Sequence, residues 1–200
     1  MTPTVDAPHG GWNRAVVRQV LHPTSRLVMV HLDVENFMAH MPGQRYVVRL
    51  TAEDGYTASR SYSIASAPSE SLVELCVERV DRGEVSTHLV DVLEVGDELE
   101  VRGPIGGWFA WDGVTPALAI GGGTGVVPLV SMFRHARNLG RVEDLCLIGA
   151  ARTYDELPYA DELAQGCGVL ALSREDAPAL SGASAGRPAG HIRAEDLAGH

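Results

Sequence analysis

Residues 117–128 read Ala-Leu-Ala-Ile-Gly-Gly-Gly-Thr-Gly-Val-Val-Pro: a short apolar run, four glycines within five residues, then the opening of a helix. A strand at Ala117–Ile120, a glycine turn and a helix at Val126–Asn138 are expected in direct succession. Beyond them Leu145–Ala150 reads as a buried strand, Asp155–Gln165 as a helix and Val169–Ser173 as a third strand. Such alternation implies parallel strands joined by crossover helices, an α/β unit. The Gly-, Ala- and Ser-rich stretch Ser181–Gly190 is expected to be a loop, and Ala194–Ala198 to begin a last helix. Three parallel strands make a thin sheet, so either this half pairs with another chain or, as is expected here, the chain stops inside this second domain.

On the N-terminal side of Trp111–Pro116 the pattern changes to short β-rich segments: Arg14–Val20, Arg26–Val34, Gln44–Leu50, Ser61–Ser66, Leu72–Val80 and Glu98–Arg102. Pro42-Gly43, Asp54-Gly55, Arg82-Gly83 and Gly103-Pro104 separate them, which suggests a small antiparallel barrel or sandwich. One helix, His88–Leu93, interrupts the strands, with Ser86 or Thr87 as its expected N-cap. The domain boundaries are placed at 1–111 and 112–200.

Composition narrows the function. Hydrophobic residues make up 45% and charged ones 21%, a globular balance. No apolar run approaches the roughly 18 residues of a membrane helix, and Met1–Asn13 has no signal-peptide pattern, so a cytoplasmic protein without membrane partners is expected. The net charge of −10 argues against nucleic acid as a partner. All sixteen basic residues are arginine. Lysine Schiff-base and lysine phosphate-loop chemistry are therefore excluded, and anions must be held by guanidinium groups or backbone N–H groups. Cys76, Cys146 and Cys167 are far apart and odd in number, so no metal site is expected from them.

Three segments carry chemistry. In Arg60-Ser61-Tyr62-Ser63, strand alternation puts Arg60 and Tyr62 on one face and Ser61 and Ser63 on the other. A cation for a phosphate, a flat ring and a hydroxyl thus lie together; an ordinary exposed strand would read the same way. Gly83-Glu84-Val85-Ser86-Thr87 stands at the start of the helix, where unpaired N–H groups can take an anion or a simple cap. Gly122, Gly123, Thr124 and Gly125 sit between strand and helix, where glycines let a diphosphate approach the backbone. The usual dinucleotide fingerprint has Gly or Ala where this chain has Val126.

Together R-S-Y-S at 60–63, G-E-V-S-T at 83–87, G-P-I-G-G-W-F at 103–109 and G-G-G-T-G-V-V-P at 121–128 resemble the ferredoxin–NADP reductase family, in order and in approximate spacing. The nearest branch is the small bacterial flavin reductases that serve ferredoxins, flavodoxins or oxygenases. The resemblance implies an antiparallel Greek-key β-barrel holding FAD, followed by an NAD(P)-binding α/β domain. It implies that Arg60 holds the FAD pyrophosphate, that Tyr62 lies against the isoalloxazine and that Ser63 bonds near flavin N5. Tyr62 and Ser63 are then the catalytic candidates, with Ser61 beside them. Val77, Glu78 and Arg79 would line the ribityl and adenosine side, while Gly83, Val85, Ser86 and Thr87 receive the pyrophosphate. Thr124 would face both the flavin and the nicotinamide. Arg152, Ser173-Arg174 and Arg187 fall where the family grips a 2′-phosphate, so NADPH is the expected donor ahead of NADH. The family's closing Cys-Gly-Pro segment is absent, since Cys167-Gly168 runs on into Val169. That agrees with a chain stopping early.

The implied function is hydride transfer from NADPH (or NADH) to FAD, then single electrons to a small electron-carrier protein or an oxygenase component. The alternatives are an FAD-binding electron-transfer or regulatory subunit that oxidises no nicotinamide, and a barrel that only binds. Trp108, Phe109 and Trp111 are expected to pack where the halves meet.

Overall fold

The computed structural model describes residues 11–165, 168–176 and 189–190. The chain divides between Ala110 and Trp111 into two compact units. The first unit contains β1 (Asn13–Thr24), β2 (Leu27–Val34), β3 (Arg45–Thr51), β4 (Thr57–Ser63), β5 (Val73–Glu78), α1 (Glu84–Asp91) and β6 (Glu98–Ile105).

Period-two alternation builds this unit. β1 buries Ala15 and Val17 and turns Arg14 and Arg18 outward, while β6 buries Leu99 and Val101 between Glu98 and Glu100. The outward charges pair across strands, Arg14 with Glu98 at 2.5 Å, Arg18 with Asp33 at 2.6 Å and Arg49 with Glu100 at 2.6 Å. Exposed pairs of this kind contribute about 0–1 kcal/mol each, so the buried aliphatic face holds the sheet. The strands pair antiparallel in the order β4-β3-β6-β1-β2-β5. A single bridge between Ile64, just past β4, and Leu75 in β5 joins the two ends of that order and closes the sheet into a barrel at that point. Helix α1 sends Val85, Leu89 and Val90 into the same core.

The second unit has a parallel sheet in the order β7-β8-β9, from β7 (Ala117–Gly122), β8 (Leu145–Ala151) and β9 (Gly168–Leu172). Helix α2 (Val127–Leu139) follows a 3-10 turn at Gly123–Val126, has Pro128 in its first turn and ends at Gly140 in the left-handed region. Its face Val130, Phe133 and Ala136 packs with Leu145, Leu147 and Leu170. The short α3 (Ala160–Leu163) is tied to α2 by a two-pronged bond from Arg134 Nε and Nη2 to Glu162, both at 2.9 Å. No helix among the described residues is long and apolar enough to cross a membrane.

Four expectations need correction. β4 begins at Thr57 and ends at Ser63, because the whole segment pairs with β3 from Thr51↔Thr57 to Arg45↔Ser63. The expected helix at Asp155–Gln165 is reduced to Ala160–Leu163, since Pro158 lacks an N–H and Tyr159 takes φ +59°. The N-cap of α1 is Gly83, not Ser86 or Thr87. Trp111 is buried with the second core, but Trp108 is 89% exposed and Phe109 52% exposed, so neither packs as expected. Cys167, the loop residues 181–188 and the expected helix at 194–198 lie outside the described residues.

The barrel has little slack where β6 passes β3. A Cβ on Gly103 would lie 2.7–3.0 Å from ring atoms of Tyr46, itself fully buried. Gly103→Ala should therefore lower stability by about 1–3 kcal/mol, read as a lower urea midpoint. An unchanged midpoint would show that this contact relaxes freely.

Candidate functional site

The N-terminus of α1 is built by Asp81-Arg82-Gly83-Glu84-Val85-Ser86. Arg82 takes φ +62°, and Gly83 lies so close to the turn that a Cβ there would meet Ser86 Oγ at 2.5 Å and Val80 O at 3.0 Å. The Ser86 hydroxyl accepts the Val80 N–H at 3.1 Å and donates to Gly83 O at 3.4 Å. It is thus spent inside the turn. The Thr87 N–H is spent too, on Gly83 O at 3.0 Å. That leaves the N–H groups of Glu84, Val85 and Ser86 with no acceptor among the described residues. Three donors at the positive end of a helix can receive an anion.

On β4, Arg60 pairs with Val48 and Tyr62 with Tyr46, so both lie on the face that leads to the core. Tyr62 is half-buried against that core, and its hydroxyl is buried with no partner among the described residues. Arg60 is exposed and bonds only the Ser59 carbonyl, at 2.7 Å. Ser61 and Ser63 take the opposite face, with Ser63 beside Arg45 at the end of the strand, and the Ser63 hydroxyl has no partner among the described residues. Val77 is buried in the core, so only its backbone could touch a ligand. Glu78 is exposed, and Arg79 is held by Asp91 at 2.9 Å. Helix α1 packs against β4 and β5, which brings Arg60 and the three open N–H groups to one region of the barrel.

The alternation on β4 reaches further than the sequence reading took it. Tyr56, just before the strand, continues the series 58, 60, 62, and its hydroxyl donates to the Glu84 carboxylate at 3.1 Å. Both residues were missed. The signal was the even-numbered period itself, read backward past Ala58.

In the second unit two of the four loop glycines are demanded by the turn. A Cβ at Gly121 would lie 2.7 Å from Gly125 O, and Gly123 has φ +52°. The other two are not: a Cβ at Gly122 would meet nothing nearer than 3.7 Å, and one at Gly125 nothing within 4 Å. Space stays open there for a ligand to reach the backbone around Thr124. At the carboxyl ends of β8 and β9, Arg152 and Arg174 are neighbours through the bond from Arg174 N to Arg152 O at 2.9 Å, with Ser173 N bonded to Ala151 O. Arg152 is held by Glu156 at 2.7 Å, whereas Arg174 is exposed with no side-chain partner among the described residues. Glu175 accepts the Tyr154 N–H. Arg187 lies outside the described residues.

Residues 16–109 match the family described as oxidoreductase FAD-binding domain. That stretch is the barrel. Its open N–H triplet, exposed guanidinium and orphaned Tyr62 hydroxyl fit FAD, whose diphosphate and ring edge can use them. The chain is similar to the propane 2-monooxygenase reductase component of Mycolicibacterium goodii, 37% identical over 111 residues, which are 54% of this chain and 32% of that protein. The match thus spans about a third of that relative's length. A cytochrome P450 reductase of Amycolatopsis is 29% identical with a TM-score of 0.68, over 89% of this chain and 56% of that one. The FAD/NAD-binding domain of a nitric oxide dioxygenase from Vibrio cholerae O1 biovar El Tor has a TM-score of 0.75 at 20% identity, over 92% and 81% of the two chains. That last likeness shows the shared fold of antiparallel barrel and parallel α/β unit.

Burial pushes the hydroxyls of both Tyr46 and Tyr62 in the barrel up to about 12. An unfolded tyrosine ionises near 10, so the folded state holds these protons more tightly. Their contribution to stability is intact below pH 10 and is lost as the pH rises toward 12. Burial and the Asp161 carboxylate push Tyr154 in the second unit up to about 12 as well. In the folded protein three of the five tyrosines should therefore be largely silent in the tyrosinate absorbance at pH 11, with the urea midpoint falling above pH 10. A full five-residue step centred near pH 10 would contradict this.

Proposed function

We propose that this chain is the flavin and nicotinamide part of an electron-transfer reductase, with residues 1–111 holding FAD and 112–200 the nicotinamide nucleotide. The observation that carries the reading is that Arg60 and Tyr62 share one face of β4, the strand against which α1 packs with its three open N–H groups. A cation and free backbone donors suit a diphosphate, and FMN has none to offer them. Bound FAD supplies two-electron uptake from a reduced nicotinamide and release of single electrons.

The chain's residues place and shield that group. Arg60 and the N–H groups of Glu84, Val85 and Ser86 hold the diphosphate, Tyr62 supports the ring and Gly83 lets the turn close. Gly122, Gly123, Thr124 and Gly125 take the nicotinamide dinucleotide at the open part of the loop. The acceptor is a small electron-carrier protein or an oxygenase component. The relatives named as reductase components of monooxygenases support that reading.

The Ser63 hydroxyl, free at the end of β4, bonds the flavin where hydride arrives. Ser63→Ala should keep FAD bound yet slow its bleaching by NADPH roughly 10- to 1000-fold. Stopped-flow absorbance at the flavin band checks this, and an unchanged rate removes Ser63 from the chemistry. A colourless wild-type protein that takes up no FAD overturns the whole reading.

The donor is NADPH ahead of NADH. Arg174, free at the carboxyl edge of the parallel sheet, carries the preference, with Arg152 and Ser173 beside it. Arg174→Ala should weaken NADPH about 10- to 100-fold and leave NADH nearly unchanged in steady-state KM. Equal losses for both donors, or a wild-type preference for NADH, would rule this out.

A further inference from the structure

Read along a single face, positions 56, 58, 60 and 62 present a ring, a small residue, a guanidinium and a second ring. At about 3.4 Å per residue this row spans about 20 Å. A dinucleotide carries the same order: flat ring, diphosphate, flat ring. Tyr62 and Arg60 already serve two of those three places in the reading above, on which this inference rests. The third ring, Tyr56, is 59% exposed.

Tyr56 is held firmly for so exposed a residue. Its carbonyl accepts the Ala52 N–H at 2.8 Å, and its N–H donates to Asp54 Oδ1 at 2.9 Å, closing the hairpin between β3 and β4. Its hydroxyl donates to both oxygens of Glu84, at 3.1 and 3.4 Å. Glu84 opens α1, the helix whose first N–H groups are free. The bond therefore crosses from the hairpin to the anion site. The Glu84 carboxylate holds the Tyr56 hydroxyl above its usual acidity range, while the Arg60 charge draws it back, which places all three groups in one field.

A well-anchored ring left open to solvent gains little from packing and is suited to a flat ligand face. We infer that Tyr56 is the stacking platform for the adenine of FAD, with Glu84 as the positioning residue that fixes the ring. It is a further cofactor-binding residue, and it adds selectivity for FAD over FMN at a place separate from the diphosphate donors.

The test uses the full chain freed of flavin and titrated with FAD and with FMN, read by quenching of flavin fluorescence. Stacking of one base on an aromatic ring accounts for roughly 5- to 100-fold in affinity. Tyr56→Ala should lose that factor for FAD while FMN affinity moves less than twofold. Tyr56→Phe, which keeps the ring and loses the bond to Glu84, should stay within a few fold of wild type for FAD. Unchanged FAD affinity in Tyr56→Ala overturns the inference alone. So does an equal loss for FAD and FMN, since that marks Tyr56 as a hairpin anchor. Wild-type protein that binds no FAD overturns the flavin reading itself.

Discussion

The close approach of Gly83 to Ser86 and Val80 governs the barrel's binding end. A Ser, Thr, Asp or Asn at that position would cap the helix with its own side chain and satisfy an N–H of the first turn. Gly83 cannot do so, and a larger residue there would have to displace the Ser86 hydroxyl, 2.5 Å from its Cβ, from its bond to the Val80 N–H. The one nearby hydroxyl, on Ser86, turns back to the Val80 N–H and holds the strand end against the helix. The chain thus enters α1 with three unpaired donors. Open donors of this kind cost stability unless water or an anion meets them.

What could be read from the sequence follows how local each cause is. Alternation along β1, β2 and β6 is local and reads plainly, as does the strand, glycine turn and helix of residues 117–139. The Arg60–Tyr62 face is local too. The start of β4 is not, because Thr57, Ser59 and Ser61 carry no apolar signal and are fixed as strand only by pairing with β3. Ser86 looked like a cap because its type favours caps, and only the contact with Val80 shows otherwise. Thr87 was credited with a donor its helix already uses, while Glu84, which has a free one, was passed over. The shortened α3 was readable in Pro158, which ends the expected helix from within. The strand order, with β6 inserted between β1 and β3, comes from pairings distant in the chain.

The arginines divide in a way composition cannot show. Arg49 is bound to Glu100, Arg79 to Asp91 and Arg152 to Glu156, each within 3 Å. Among the described residues Arg45, Arg82 and Arg174 have no side-chain partner, and Arg60 has only a carbonyl. A chain of net charge −10 repels an acidic carrier at long range. Attraction must then come from single free cations at short range, where salt screens less. Arg45 is opposite Ser63, at the strand end where the flavin ring would be reached. Arg60 and Arg82 flank the open donors of α1, and Arg174 stands at the sheet edge of the other unit. Each free guanidinium is thus beside a place proposed for an anion or an electron carrier.

The glycine loop shows the same separation between what folding requires and what a ligand requires. Gly121 and Gly123 are explained by the turn, through a blocked Cβ and a positive φ. Gly122 and Gly125 are not: a Cβ at Gly125 would meet nothing within 4 Å, and one at Gly122 only an ordinary contact with Ala150 O at 3.7 Å. Val126, where a dinucleotide fingerprint usually has Gly or Ala, is fully buried in the second core. The 3-10 turn at Gly123–Val126 explains how it fits. The turn delays the start of α2 to Val127 and rotates Val126 inward, so close packing of helix on strand is met by a valine in the core. The departure from the fingerprint at Val126 is therefore a packing substitution. The two positions left open to a diphosphate, Gly122 and Gly125, still hold glycine.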